Sequence, residues 1–287
     1  MQLQHATHKG IEGFTLIELS IVLVIIALIV GGILVGQDLI RAAELRATVS
    51  QIEKYNAGIN TFRLKYQGIP GDLNSVDAAA YGFVARAGSS GRGNGDGLIN
   101  GTGAGDNNEC FTQESGMLWN DLSTANLVDG SFTGAQNTDA ASPNAVTAAQ
   151  VPTTFPPAKL GRGNYVTDGS SLTGGSNNYW LIAGIGGVTG GAGNGGYSVT
   201  ANITPSEAYN IDIKLDNGMP YTGTVQARGY ISIGGTLFRD GTSWAASSTQ
   251  GNCLMGGASG TDPAAIYNRT SSTGGNSPAC MLRFRFN

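Results

Sequence analysis

The residue whose chemistry first needs an explanation is Glu18, a carboxylate at the edge of an apolar run. From Leu19 to Gly36 no side chain carries a charge, and Ser20 supplies the one hydroxyl group. A run of this length is typical of a membrane-spanning helix, because about 20 residues cross a hydrocarbon core of roughly 30 Å. An ionisable group near such a core costs free energy, and we therefore treat Glu18 as a functional residue that needs a partner.

Histidine and cysteine usage excludes several classes of enzyme. His5 and His8 are the two histidines, and both precede the apolar run. If the segment before the run is removed, Ser-His and Cys-His catalysis and every histidine-bearing zinc site are excluded. The cysteines form no C-x-x-C pair, which argues against a redox site or a zinc ribbon. No carboxylate pair or nucleophile motif stands out, so we expect that the protein is not an enzyme.

A glycine-rich segment, GNGDGLINGTGAGDNNE, gathers oxygen-bearing side chains of the kind that bind calcium. The candidate ligands are Asn94, Asp96, Asp106 and Glu109, with Asn100 and Asn107 between them. Their spacing does not match the EF-hand loop. We therefore expect an ordinary solvated loop and no cofactor, with calcium as the alternative.

The start of the chain resembles a known processing signal. A secretory signal peptide ends in an A-x-A-like cleavage site after its apolar core, and no such site follows this run. Instead, Gly13 and Phe14 open the sequence G-FTLIE, which ends at Glu18 and leads into the apolar run. This order resembles the class III leader of type IV pilins and of the pseudopilins of type II secretion. The alternative is an ordinary membrane anchor that happens to contain FTLIE.

The resemblance implies that a prepilin peptidase cuts between Gly13 and Phe14 on the cytoplasmic side and methylates the new Phe14 amine. Residues 1–13 are then the leader peptide. Before assembly, the subunit is expected to be a single-pass protein of the bacterial inner membrane with its C-terminal body outside. In the filament, the resemblance implies that Glu18 pairs with the Phe14 amine of a neighbouring subunit, so that two charges neutralise each other in a dry environment.

One long helix must position these groups. Apolar side chains recur at steps of three and four from Leu45 to Tyr66, which predicts an amphipathic helix that continues the apolar run. A helix over residues 14–66 would be roughly 80 Å long, so its first half needs lipid and then other copies of itself. Many pilins carry a proline where this chain has Val35. Nearby residues that weaken a helix are Gly31, Gly32 and Gly36.

Residues 67–287 are predicted to form a β-rich head. Gly68, Pro70 and Gly71 end the helix, and Asp72 is placed to cap the segment after it. The segment ESGMLWNDLSTANLV predicts a short helix with Trp119 in the core. Strands are predicted in the segments NYWLIAGIG, YNIDIKLDNG, GYISIGGTLF and CMLRFRFN.

The same patterns predict the fold class. In YNIDIKLDNG, Asp212 and Asp216 are expected to be exposed, and Asn217 with Gly218 to form a hairpin turn. Several strands after one long helix resemble the α+β pilin fold, in which the partly transmembrane N-terminal helix packs on an antiparallel β-sheet with long Gly-rich loops. Residues 131–176 are interpreted as a long inserted loop.

Composition narrows the choice of partners. The chain has 45 glycines, a net charge of −4 and only 13% charged residues. No basic block offers the positive surface that phosphate binding needs, so we expect no nucleic-acid partner.

The cysteines allow three pairings from the residues alone. The resemblance implies that Cys253 and Cys280 close the C-terminal disulfide loop of many pilins, which leaves Cys110 over. Closing such a loop would stabilise the head by a few kcal/mol.

The leading interpretation is a structural subunit of a type IV pilus, a fimbrium, or of a related filament outside the cell. Its partners would be prepilin peptidase, an assembly platform, other pilins and copies of itself. The alternatives are a type II secretion pseudopilin in a periplasmic filament, and a membrane-anchored binding protein or enzyme that uses a prepilin-type leader. Motility, cell adhesion, DNA uptake and protein secretion are all compatible with these interpretations.

Overall fold

The structure, a computed structural model, describes residues 13–84, 93–99, 114–132, 148–170, 177–189, 196–229, 253–255, 265–270, 275 and 277–286. The chain divides into two compact units, residues 1–43 and residues 44–287, and each is described separately below.

The described residues form helices and strands in mixed order. The helices are α1 (Leu16–Tyr66), α2 (Ser75–Ala80), α3 (Glu114–Thr124), α4 (Val151–Thr154) and α5 (Pro205–Leu215). The strands are β1 (Asn164–Ser170), β2 (Asn178–Thr189), β3 (Gly196–Thr200), β4 (Val225–Gly229), β5 (Leu254–Met255), β6 (Ile266–Tyr267) and β7 (Cys280–Phe286).

Helix α1 confirms the predicted long N-terminal helix. No proline interrupts its sequence, and Gly31, Gly32 and Gly36 lie within it without a break. A Cβ atom at any of these three positions would meet no other atom within 4 Å. The glycines are therefore not required by contacts inside this chain, which leaves them available for close approach of another helix.

The first unit has no apolar cover of its own. Every Leu, Ile and Val side chain between Leu16 and Ile40 is at least 50% exposed. Among the described residues, α1 is also the one helix long and apolar enough to cross a membrane. An apolar surface of this extent requires lipid or another protein, because monomeric soluble proteins rarely expose large contiguous apolar patches.

In the second unit, the C-terminal half of α1 contributes one face to the core. The predicted stripe is confirmed: its buried members are Leu45, Ile52, Tyr55, Ile59 and Phe62. Val49 and Tyr66 are partly buried against the same core. Burial of side chains at steps of three and four is what holds this half of the helix on the head.

The sheet of the head is antiparallel throughout. Its strand order is β1-β2-β7-β4, and β3 pairs with the far part of β2. Strand β7 lies between β2 and β4, with Leu282 opposite both Ile182 and Ala227. The strands predicted from NYWLIAGIG and CMLRFRFN are thus confirmed, and Leu282, Phe284 and Phe286 are buried as expected.

Aromatic side chains join α1 to the sheet. The Trp180 ring of β2 lies 5.6 Å from the Tyr55 ring of α1 and stacks on Phe286 at 4.4 Å. Its indole Nε1 donates to Asn56 Oδ1 at 2.7 Å. Trp119 is fully buried on the predicted helix α3 and packs edge-on to Tyr55. This packing gives the α+β arrangement, a long helix on an antiparallel sheet, that the resemblance implied.

Turns of the chain bind part of the outer backbone of β4 and of β1. At the β4 edge, the Val225 N–H donates to Asp216 Oδ2 at 3.1 Å, and the Ala227 N–H donates to the Pro220 carbonyl at 2.9 Å. At the β1 edge, the Val166 N–H donates to the Pro156 carbonyl at 2.9 Å. These three backbone donors are therefore not free to pair with another strand.

The segment YNIDIKLDNG is not a strand, and this prediction was wrong. It lies in α5, which begins at a complete capping box: Thr204 Oγ1 accepts the Glu207 N–H, and the Glu207 carboxylate accepts the Thr204 N–H. Pro205 occupies the first turn, where its missing N–H costs nothing. Ala208 and Ile211 are fully buried at helical spacing, whereas Ile213 is 49% exposed. The capping signal outweighs the apparent alternation.

Two further expectations change. Residues 131–176 are not simply a long loop, because α4 and β1 lie within them and Val166 is fully buried. Gly218 follows a helix and not a strand, so it does not form the predicted hairpin turn. Most of the segment GYISIGGTLF lies outside the described residues, since β4 ends at Gly229.

A disulfide joins Cys253, next to β5, to Cys280 at the start of β7. Both cysteines are fully buried. This is the pairing that the resemblance implied. Cys110 lies outside the described residues.

Replacing Thr204 with Ala removes the oxygen that accepts the Glu207 N–H, and we expect the free energy of unfolding of the head to fall by about 1 kcal/mol. Denaturant titration of the full-length chain in detergent, followed by tryptophan fluorescence, measures it. Thr61→Ala, on an exposed part of α1, is the control and should change that value by less than about 0.5 kcal/mol. Equal effects of the two substitutions would contradict the capped helix.

Candidate functional site

The start of α1 is organised by a reciprocal pair of side chains. The Glu18 Oε2 atom accepts the Thr15 backbone N–H at 2.8 Å and the Thr15 hydroxyl at 2.8 Å. In return, Thr15 Oγ1 accepts the Glu18 N–H at 3.3 Å. This is a capping box, which satisfies backbone donors that have no partner inside the helix.

The capping box explains how one chain alone holds the Glu18 carboxylate. A negative charge in the first turn is also favoured by the positive end of the helix dipole. Only Oε2 takes part, and among the described residues no donor reaches Oε1. Glu18 therefore has an internal partner in Thr15 and one oxygen left for a partner from outside. Sequence reasoning missed Thr15, although T-x-x-E is the signal that would have found it.

The residues at the predicted cut lie ahead of the helix. Gly13, Phe14 and Thr15 are exposed and have no regular structure, and the helix begins at Leu16. The Phe14 side chain is 84% exposed. The peptide bond between Gly13 and Phe14 thus lies in an accessible, non-helical segment, as a protease substrate requires.

Comparison with known proteins identifies this N-terminal region. Residues 9–34 match the family model described as the prokaryotic N-terminal methylation motif. The chain carries a class III prepilin leader. This leader is typical of type IV pilins and pseudopilins. The matched residues include Gly13, Phe14 and Glu18, and the cut after Gly13 and the pairing role of Glu18 stay predictions. No curated protein and no solved structure matches the chain.

The leader indicates where the precursor is anchored and how it is processed. Together with the apolar helix, it indicates anchoring in the inner membrane before processing. It also implies processing by prepilin peptidase and assembly with pilin-like partners in general.

The calcium candidates divide into two groups. Asp106 and Glu109 lie outside the described residues. Asn94 and Asp96 are exposed, and their side-chain oxygens accept the N–H groups of Asp96 and Leu98 at 2.8 Å each. Within the described part of the chain, no group of three His, Cys, Asp or Glu side chains is arranged to hold a metal. The calcium hypothesis for all four residues stays a prediction.

The glycine-rich loop is bound by the carboxylate of Asp72, a residue that was predicted to cap the segment after α1. Asp72 does not cap α2, because Asn74 does so. Instead, Asp72 is buried beneath residues 93–99 and accepts the Gly95 N–H at 2.7 Å and the Gly97 N–H at 2.8 Å. Burial raises the pKa of Asp72, and the backbone donors of Gly97 and Gly95 oppose that rise.

A second buried carboxylate lies on the inner face of α5. Asp212 was expected to be exposed, but it is fully buried, because its position on α5 turns inward. It accepts the Tyr267 hydroxyl at 2.7 Å and the Gly218 N–H at 3.0 Å. Burial raises the pKa of Asp212 to about 6. Asp216 is half-buried and accepts the N–H groups of Thr224 and Val225, so it is a structural residue of the β4 edge.

A surface groove of about 430 Å³ runs along α1 between residues 47–55 and the segment 156–159. Its polar side chains are committed to contacts inside the head. Gln51 donates to the Pro157 carbonyl at 2.9 Å and accepts the Lys159 N–H at 2.9 Å. Lys54 pairs with Asp129, which lowers the pKa of that carboxyl group. Through Gln51 and Lys54, the side of the groove formed by α1 is bound to the head.

Replacing Thr15 with Ala should loosen the first turn of α1, because both bonds of the Thr15 hydroxyl are lost, the one to Glu18 Oε2 and the one from the Glu18 N–H, while the backbone N–H of residue 15 stays. We expect hydrogen exchange of the Glu18 amide to rise about fivefold, the equivalent of about 1 kcal/mol. Exchange measured on the full-length chain in detergent checks this. Thr15→Ser keeps the hydroxyl and should restore the slow exchange; equally slow exchange in Thr15→Ala would contradict the capping box.

Asp212 should make the head less stable as pH rises. Its pKa in the folded protein, about 6, lies above the ordinary value of 3.8, so between these values the folded protein binds the proton more tightly. The stabilisation is complete below about pH 4 and is lost as pH rises to about 6. Denaturant titrations of the wild type and Asp212→Asn across this range measure the difference, which should vary with pH. A difference independent of pH would contradict the assignment.

Proposed function

We propose that the protein is a structural subunit of a type IV pilus or a pilus-like filament that polymerises through α1 after cleavage between Gly13 and Phe14. The observation that carries the proposal is one helix with two kinds of surface. Its first part follows a prepilin leader and exposes every large aliphatic side chain, and its second part is packed into the head. The exposed part needs cover after the subunit leaves the membrane, and other copies of α1 can provide it.

The start of α1 supports a specific contact between subunits. Cleavage creates a positive amine at Phe14, next to the residue that caps the helix. The Glu18 carboxylate keeps Thr15 through Oε2, which leaves Oε1 to accept the amine of a neighbouring subunit. Pairing two charges in a water-poor environment favours the register in which both are satisfied, because an unpaired charge is costly there.

The bound backbone donors of β4 and β1 also favour assembly through the helix. Strand addition needs free backbone donors at a sheet edge. Three such donors, the N–H groups of Val225 and Ala227 in β4 and of Val166 in β1, are bound by Asp216, Pro220 and Pro156 of the same chain. The head is therefore better suited to coat a filament than to link its subunits strand to strand.

A type II secretion pseudopilin is the second candidate, because the leader and the apolar helix are shared by both classes. The two differ in where the fibre stands: outside the cell for a pilus and in the periplasm for a pseudopilus. In either case the partners would be prepilin peptidase, an assembly platform and other pilins. A membrane-anchored enzyme is a third hypothesis, and we propose no catalytic role because the sequence offers no nucleophile motif or carboxylate pair.

Shearing of cells, imaging of the released fibres and sequencing of the subunit N-terminus test the proposal together. We expect long surface fibres whose subunit begins with N-methylated Phe14. Subunits with methylated Phe14 that stay in the periplasm would favour the pseudopilin. An uncut Met1 in the inner membrane would contradict both.

Glu18→Ala should abolish filaments without affecting membrane insertion, because it removes the only charge that can neutralise the neighbouring amine near the helix start. Quantification of sheared fibres and of membrane-bound subunit measures the two effects separately. Ser20→Ala is the matched control, because Ser20 bonds only to the Ile17 carbonyl of its own helix. Wild-type amounts of filament in Glu18→Ala would refute this role.

A further inference from the structure

Among the described residues, two exposed loops of the head contain Asn-Gly, the dipeptide most prone to spontaneous rearrangement. Asn94 and Asn217 each precede a glycine in a turn at the surface of the head. In Asn-Gly, the backbone nitrogen of glycine attacks the asparagine side-chain carbon; an N–C bond forms, ammonia leaves, and water opens the succinimide to aspartate or isoaspartate. Asp96 also precedes a glycine, and an Asp-Gly pair reaches the same succinimide with loss of water. Glycine makes the attack easy because it has no side chain.

In the structure, each attacking nitrogen has the same kind of partner. The Gly95 N–H donates to Asp72 Oδ1 at 2.7 Å, and the Gly97 N–H donates to Asp72 Oδ2 at 2.8 Å. The Gly218 N–H donates to Asp212 Oδ1 at 3.0 Å. Both acceptors are buried carboxylates, with 3% of Asp72 and none of Asp212 exposed.

Such a partner opposes the reaction at its first step. The glycine nitrogen must lose its proton before it attacks, and a negative charge on that nitrogen would lie beside the carboxylate. Like charges at hydrogen-bond distance raise the pKa of the group that must ionise.

The reacting side chains are restrained as well. Asn94 Oδ1 accepts the Asp96 N–H at 2.8 Å, and Asn217 Oδ1 accepts the Met219 N–H at 2.8 Å. The Asn217 amide further donates to Thr222 Oγ1 at 2.9 Å. The two loops, which lie more than a hundred residues apart in the chain, thus have the same arrangement.

We propose that Asp72 and Asp212 protect these dipeptides from succinimide formation, Asp72 at Asn94–Gly95 and Asp96–Gly97, and Asp212 at Asn217–Gly218. The two buried carboxylates keep the turns chemically intact for the lifetime of the head. The inference does not depend on whether the head coats a pilus or another fibre.

Peptide mapping by mass spectrometry tests the proposal on the full-length chain in detergent, incubated folded or in denaturant at the same neutral pH. We expect deamidation and isoaspartate at the three dipeptides to form about tenfold or more slowly in the folded protein, since each unit of pKa rise lowers the population of the nitrogen anion about tenfold. Equal rates in the two states would overturn the proposal.

Cross-comparison of two variants assigns the protection. Asp72→Asn should accelerate the reactions at Asn94 and Asp96 but not at Asn217, and Asp212→Asn should do the reverse. Asp77→Asn, whose carboxylate accepts the side-chain amide of Asn74 at 2.6 Å, is the control and should change none of the three. Slower reaction in Asp72→Asn or Asp212→Asn would show the carboxylate acting as a base, which contradicts the proposal.

A variant that unfolds would react faster at both loops and would not assign the protection. A second measurement on the wild type therefore tests the same proposal. Base-catalysed hydrogen exchange removes the same proton from the same nitrogen. In the folded wild type we expect exchange at Gly95, Gly97 and Gly218 to be about tenfold or more slower than in the unfolded chain. Exchange at the unfolded rate in all three would overturn the proposal regardless of how the variants behave.

Discussion

The rest of the structure depends on the exposure of one apolar surface. Between Leu16 and Ile40, the apolar side chains of α1 are not covered by any other described part of the chain. A helix with this surface can exist in lipid or among other helices, and not in water. The leader indicates anchoring in the inner membrane, and cleavage at the predicted site between Gly13 and Phe14 would change the end of the helix from a polar peptide to a charged amine. The same helix continues into the head, where Tyr55 and Phe62 belong to the core. In the proposed filament, assembly and folding of the head would therefore share a single element, α1.

Glu18 has one role in the structure and a second role in the proposed filament. Its contacts with Thr15 make it a helix-capping residue, which accounts for its tolerance in a single subunit. In the proposed filament, the remaining oxygen makes it a receptor for a charge that does not exist before cleavage. In this proposal Glu18 couples processing to assembly. It caps its own helix through Oε2, and its Oε1 can accept an amine that exists only after cleavage. The turns that bind backbone donors of β1 and β4 are consistent with polymerisation through the helix, because those donors are not free to pair with another strand.

Much of this could be predicted from the sequence, and the exceptions have physical reasons. The leader, the stripe from Leu45 to Tyr66 and strand β7 follow local patterns, and they were predicted correctly. Helix α5 was mistaken for a strand because Ile211, Ile213 and Leu215 alternate, while the deciding contact is the cap at Thr204. The burial of Asp72 under Gly95 could not be predicted, since the contact joins residues 23 positions apart and no periodic pattern encodes it.

The central claim is that α1 is the polymerisation element and that Glu18 receives the amine of another subunit. A cryo-electron microscopy map of sheared filaments, at a resolution that shows side chains, tests both parts at once. The account predicts that the apolar half of α1 lies in the filament interior with the Glu18 carboxylate against the Phe14 amine of a neighbour. A filament held together by its heads, with Glu18 bonded to Thr15 alone and no amine nearby, would contradict it.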